Sequence, residues 1–440
     1  MNYICIMILL GIVIFAHELG HFWAALAVGV KVDTLSVGFG PRLFGIKRRG
    51  IDFRVSAVPL GGYVRIVDQF GNERTIGATR FQSATQWERA VVIIAGPLMN
   101  VALALGIVAG LYTYAFPKQS EITAPTITFI NAGSPAAQAG LQLGDRIIQI
   151  ESKRNPSWHF VLMQEALNAN HPINGLVERR DQHIRFSITP AMDPKRGIGI
   201  AGWSSEQNLR IGELRQDSPA ARAGLRTGDL LLTANGCRLD SFSSIQQAVL
   251  HSRGHVMTLQ VMRNRRVQSI TVSPAATNDR KIPWQIGVRF KMPVQMVSLR
   301  LRRAMEESVR LNQESALMTF QFLAGILKRR VSPKALSGPI GIASAMREAA
   351  TTDSWSYLFL MASVSLEIAI FNLLPIPGLD GGVLLMLIIE TLLRRKLSPQ
   401  VNQMIFALGR VFLITIIVLV IYNDLSNILS RSGVVSLRGG

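Results

Sequence analysis

The stretch FAHELGHFWA, residues 15–24, sets His17, Glu18 and His21 inside a run that otherwise reads as a membrane span. Residues 3–29 contain no lysine or arginine, and apart from Tyr3 and Cys5 these three are the only ionisable groups in the run. At about 1.5 Å per helical residue the run is long enough to cross about 30 Å of hydrocarbon. It lacks the basic leading segment of a cleaved signal peptide, so it is expected to stay as a span. Ionisable groups at that depth are costly and are retained where they act. On a helix His17 and His21 stand one turn apart on one face, the spacing with which two imidazoles reach one Zn2+. Glu18, on the adjacent flank, is placed as a general base toward water.

The rest of the chain agrees with a membrane setting. Of its 440 residues 48% are hydrophobic, and the mean hydropathy is +0.27. Three further apolar runs are expected to span: residues 90–116 with no charge, 355–374 with only Glu367, and 405–422 with only Arg410. Orientation follows from basic residues in short loops. The loop 31–89 holds ten Lys/Arg against five Asp/Glu, which puts it on the cytoplasmic side. The N-terminus, residues 117–354 and the C-terminal tail then lie outside. The net charge of +19 suits anionic headgroups or a solvated basic surface, and nucleic acid is not expected as a partner. The two cysteines, Cys5 and Cys237, are not expected to pair.

Between the second and third runs the chain repeats itself. SPAAQAGLQLGDRIIQI (134–150) and SPAARAGLRTGDLLLTA (218–234) match at nine of seventeen positions, 84 residues apart. Ser-Pro opens a short helix, a glycine closes it, and a Gly-Asp turn feeds a strand. The pattern resembles bacterial PDZ domains, over about 122–190 and 197–275. In such domains a peptide adds as a strand, with its C-terminal carboxylate held by loop amides. GIGIAGW (197–203) is read as that loop for the second copy, with Gly199, Ile200 and Ala201 at its centre. Residues 295–331 read as amphipathic helix, and 316–327 are too short to span.

A catalytic zinc takes three protein ligands and leaves one position open. The other five histidines all lie in the outer region, so a carboxylate near another span must complete the set. The candidates are Glu367, Asp380 and Glu390. In NLLPIPGLDGG (372–382) prolines and glycines break the helix at a depth that matches residues 17–21, which favours Asp380.

Together HELGH, VGFGP, PLGGYV, AGPLMN, SGPIGI and NLLPIPGLDGG resemble the site-2 protease family of intramembrane zinc metalloproteases, across nearly the whole chain. The resemblance implies His17, His21 and Asp380 as zinc ligands, Glu18 as general base, and Asn372 as a substrate-handling residue. It also implies that residues 53–66 present an edge strand to substrate, with Gly61, Gly62, Tyr63 and Val64 in contact. The expected fold is a polytopic α-helical membrane protein with four spans, a membrane-associated β-hairpin region and two β-rich PDZ-like domains outside the membrane. Its parts are an N-terminal membrane domain (1–116), the PDZ-like domains (122–190 and 197–275), an amphipathic helical region (290–350) and a C-terminal membrane domain (354–423).

By the same resemblance the chain belongs in a bacterial inner membrane. Its substrates are single-span proteins such as anti-sigma factors, or remnant signal peptides, already trimmed by an upstream site-1 type protease. The PDZ-like pair would pass only trimmed substrates. Two positions depart from the family pattern: Val383 stands where a histidine is usual, and Glu367 where an asparagine is usual. A PDZ scaffold with an inactive metal site is the alternative, and a metal transporter would need a polar path through several spans.

Overall fold

The computed structural model describes residues 2–67, 73–75, 84–119, 124–194, 196–205, 209–239, 242–264, 266–277, 283–290, 294–336, 338–352, 354–395 and 397–431. The chain divides into two compact units. One comprises residues 1–116, 297–320 and 336–440, the other residues 117–296 and 321–335.

In the first unit, four helices among the described residues are long and apolar enough to cross a membrane: Leu9–Ala27, Gln86–Tyr114, Ser354–Leu373 and Gln400–Leu425. They coincide with the four runs read from sequence. The second span opens on a capping box: Thr85 Oγ1 accepts the Glu88 amide at 3.3 Å, and Glu88 Oε2 accepts the Thr85 amide at 2.7 Å. Two orphan donors are thereby satisfied where the helix leaves water. The amphipathic segment forms a helix over Leu301–Leu327, held against the second span by Ser308, whose hydroxyl donates to the Leu105 carbonyl at 2.8 Å. A further helix follows over Pro339–Thr352.

The loop after the first span is a β-sheet. Strands Val32–Arg48 and Ile51–Val67 each bend back on themselves. Residues 34–37 therefore have neighbours on both sides: Leu35 pairs with Phe53 and with Val64. Arg54 likewise pairs with Ser36 and with Gly45. This corrects the expectation that all of 53–66 forms an edge, since 52–55 is interior to the sheet. Among the described residues, Ser56, Val58 and Gly62–Val64 of this stretch each have a strand partner on one side alone, while strand Glu73–Thr75 takes up Arg65–Val67. Phe22 and Ala25 of the first span, Val32, Leu35 and Val64 of the sheet and Val92 of the second span form one buried cluster, which fixes sheet against helices.

The second unit contains the two copies of the repeat. Each has a four-stranded sheet. In the first copy the order is Lys153–Arg154, Arg146–Ile150, Ile173–Arg179, Gln182–Ile188; in the second it is Cys237–Arg238, Leu230–Ala234, Met257–Arg263, Arg266–Val272. The Gly-Asp of the motif has a job in both. Asp145 and Asp229 are buried and make paired hydrogen bonds to Arg179 and Arg263, each of which also donates to the carbonyl of the helix-closing glycine, Gly140 or Gly224.

The phase of the repeat differs from the sequence reading. Strand Trp203–Ser205 pairs with Ile127–Ile130, the Ala136 amide donates to the Ala201 carbonyl, and Ala201 and Trp203 are in the first copy's core. Gly199, Ile200 and Ala201 thus belong to the first copy, not the second. The second copy is closed in the same way by Val288–Phe290, which pairs with Ile211–Leu214, and by the Ala220 amide donating to Ile286. Each copy borrows its closing strand from the end of its own repeat, so the copies run from about 124 to 205 and from about 209 to 290.

Candidate metal centre

His17 and His21 lie on the first span and face the second span at Gly96. A Cβ there would collide with His21 Nε2 and stand 2.9 Å from His17 Cε1, so only glycine lets the helices approach this closely over the histidines. His21 donates Nδ1–H to the Val92 carbonyl at 2.7 Å. That bond settles the tautomer and leaves Nε2 with its lone pair turned inward. His17 Nδ1 lies 3.5 Å from the side-chain amide of Asn100. Asn100 Oδ1 is buried with no hydrogen-bond partner, so turning the amide over gives it the Nδ1–H of His17. The Asn100 backbone is anchored in turn, accepting the Ser365 hydroxyl at 2.9 Å.

Asp380 opens the helix Asp380–Leu393, directly after the break at residues 374–379. Its Oδ2 stands 3.1 Å from His17 Nε2 and 3.5 Å from His21 Nε2, and the two Nε2 atoms are 3.1 Å apart. One ligand atom from each of the three residues falls within 4.8 Å of the others, and all three residues are buried. Lone pairs so crowded repel one another unless a cation lies among them, and Asp380 Oδ2 is a buried atom with no hydrogen-bond donor. The donor set, two imidazoles and a carboxylate, is one that zinc accepts.

The other two carboxylates weighed as ligands are elsewhere. Glu390 accepts the Leu397 amide at 3.0 Å, at the far end of the helix that Asp380 opens. Glu367 is exposed on the third span and is not part of the cluster. Glu18 is beside the ligands and turns its Oε2 toward the sheet, accepting the Val64 amide at 3.1 Å. Gly62 backs onto the same side chain. Gly61–Val64 thus runs past the carboxylate, with Tyr63 stacked on Phe39 at 6.1 Å and the Arg54 guanidinium 5.3 Å from the Tyr63 ring. Asn372 lies half-buried in the last turn of the third span, and its side chain makes no hydrogen bond among the described residues.

A family model for peptidase family M50 matches residues 5–416. The chain belongs to peptidase family M50. It is an intramembrane protease of the site-2 type. M50 relatives align along almost their whole length. The "Regulator of sigma E protease" of Haemophilus influenzae is 28% identical over 95% of this chain and 97% of its own. The "Regulator of sigma-E protease RseP" of Escherichia coli is 27% identical over the same shares. The "Putative zinc metalloprotease" of Vibrio cholerae is 27% identical over 97% of this chain and 99% of its own. A solved PDZ domain of an SdrC-like protein from Listeria monocytogenes matches 20% of this chain and 90% of its own at 20% identity, with a TM-score of 0.18.

Two site residues were missed in the sequence reading. Asn100 and Gly96 both sit in AGPLMN, a motif counted toward the resemblance but given no role. The signal was available: an asparagine in an uncharged span needs a polar partner, and a glycine there marks a close approach of helices.

Proposed function

We propose that this M50 protease is zinc-dependent and cuts the membrane-spanning segment of single-span proteins once an earlier cut has removed their bulk outside the membrane. The observation that carries the reading is the convergence of His17, His21 and Asp380 beside a glutamate that is hydrogen-bonded to a half-paired strand. Zinc held by those three side chains would polarise the scissile carbonyl and make a nucleophile of water near neutral pH.

The remaining steps fall to the chain's own residues. Glu18 takes the proton of the attacking water and returns it to the leaving amine. The Val64 amide holds the carboxylate in one orientation while it does so. A helical substrate hides its carbonyls in its own hydrogen bonds, and unwinding it in lipid costs several kcal/mol for each unpaired group. The outer edge of Gly61–Val64 can replace those bonds by strand addition. Asn372 is assigned to the same task of holding the unwound segment. Leu43, Phe44 and Ile46 are exposed on the neighbouring hairpin, which supports its association with the bilayer.

The names of the relatives, "Regulator of sigma E protease" and "Regulator of sigma-E protease RseP", support anti-sigma factors as the substrate type, with remnant signal peptides as a second. A site-1 type protease then makes the first cut. The basic loop 31–89 supports a bacterial inner-membrane location with the active site toward the cytoplasm and the PDZ-like copies and both termini in the periplasm.

The decisive experiment replaces Glu18 by glutamine, which keeps size and hydrogen bonding but cannot take the proton. Bound zinc should be unchanged, and cleavage of a trimmed single-span reporter should fall by at least ~10²-fold. Cleavage at the unaltered rate would overturn the role of Glu18, and absence of cleavage in the unaltered protein would favour a scaffold with an inert metal site.

A further inference from the structure

The two copies of the repeat differ at one buried position, and the difference lies where a peptide would add. In the first copy the helix Trp158–Leu167 packs against residues 199–205. In a PDZ-like fold the incoming strand enters between such a helix and such a strand, its carboxylate on the loop amides. Here that space already holds a carboxylate. Glu165, buried on the helix, accepts the Ala201 amide with Oε1 at 2.6 Å and the Trp203 indole N–H with Oε2 at 2.8 Å. Both bonds are short and charge-assisted. The helix end and the loop are in direct contact, since a Cβ on Gly199 would collide with the Glu165 carbonyl and stand 3.2 Å from Ala169 Cα. No peptide fits between them in this state.

The second copy supplies the comparison. Its matching hydrogen bond, Ala220 to Ile286, sets Ile286 opposite Ala201. The residue 84 positions after Glu165 is Val249, buried in the second copy's core. The carboxylate is therefore not a requirement of the fold; an apolar side chain closes the second copy. Burial also raises the Glu165 carboxyl above the ordinary glutamate range, against the pull of its two donors, so the anion is held at some cost.

We propose that Ala201 N–H and Trp203 Nε1–H form a carboxylate-recognition site in the first copy, that Glu165 is its built-in occupant, and that the partner it fits is an extended peptide with a free C-terminal carboxylate, bound only in place of Glu165. The last side chain of that peptide is apolar, because Val161, Phe186 and Trp203 line the core beneath the site. This inference does not depend on the zinc reading.

The test uses the full-length protein in detergent and a fluorescent decapeptide of alanines ending in valine, with either a free or an amidated C-terminus. Loss of the competitor in Glu165→Ala should tighten binding of the free-acid peptide by at least about tenfold over the unaltered protein, because two charge-assisted bonds become available. The amidated peptide should gain nothing, and Ala201→Pro placed in the Glu165→Ala protein should abolish the gain. Glu165→Gln keeps the volume and covers the case in which Glu165→Ala unfolds the copy; it should show a smaller gain with the same dependence on the free carboxylate. No gain in a folded variant of either kind, or an equal gain with the amidated peptide, would overturn the proposal.

Discussion

His21 gives its Nδ1 proton to the carbonyl of Val92, 2.7 Å away on the neighbouring span. The bond ties a candidate ligand on one helix to the backbone of another, so the cluster and the helix pair are a single construction. Asn100 is placed to do the same for His17. Asp380→Ala should remove most of the bound zinc, because it takes away a ligand. Asn100→Ala should leave all three ligands and still weaken zinc binding by about 10- to 100-fold, as loss of an orienting partner does. Competition against a graded series of chelators reads both, and unchanged affinity in Asn100→Ala would mean that His17 is oriented by something else.

Gly96→Ala adds one methyl group where the two helices meet over the histidines. Since a Cβ there collides with His21 Nε2, the imidazole must move or the helices must part. Zinc content should fall although no ligand has changed, while circular dichroism stays helical. Full zinc occupancy in this variant would show that the helices can separate at no cost to the site.

The strand beside Glu18 makes a different kind of demand. A Cβ on Gly62 would stand 2.6 Å from the Ser36 carbonyl, so Gly62→Ala should push the Gly61–Val64 segment off its partner strand. Cleavage should drop at least about tenfold with zinc retained, and substrates carrying helix-loosening glycine or asparagine near the cut should suffer less, because less unwinding has to be offset. A proline at Arg54, which is paired on both sides, should instead disrupt the sheet. Equal loss for stiff and loose substrates would argue against strand addition.

Acid should weaken the second copy of the repeat through Asp229. Burial by itself would raise this carboxyl, but the hydrogen bonds from Arg263 and the Arg226 amide outweigh it, and the net effect is a lowering from 3.8. A carboxyl lowered by folding contributes stability that is whole above the unfolded value and drains away as pH falls through the folded one. Hydrogen exchange in residues 230–263 should therefore accelerate below about pH 4. Arg263→Ala strands a buried carboxylate at a cost of roughly 3 kcal/mol, and should raise exchange at neutral pH while flattening the acid response.

The convergence of His17, His21 and Asp380 was largely legible because its information is local. His17, Glu18 and His21 occupy one helical turn, and Asp380 announces itself through the prolines and glycines around it. The spans were legible for the same reason, as continuous apolar runs. What escaped was information carried by pairing. Nothing in GIGIAGW says which copy it closes, since the following residues are as near in sequence as the preceding ones; the choice is made by Ile127–Ile130 and Ala136. The doubling back of 32–67 was hidden likewise, because Arg54 reads the same in an edge strand as in an interior one. The contacts of Glu165 with Ala201 and Trp203 were invisible likewise, for a glutamate near the end of a short helix is ordinarily a solvated one.

The late closing strand bears on how the protein is made. A chain made from its N-terminus delivers Ile127–Ile130 well before Trp203–Ser205, so the first copy cannot seal its core until nearly its entire length has been made. The same pairing brings the entry and exit of a copy side by side, as Ile211–Leu214 and Val288–Phe290 do in the second. A module whose ends leave together can be inserted at a surface turn without prying apart the elements on either side. Tandem duplication between two membrane spans is then a cheap event for a genome, and the 84-residue offset is its surviving scar.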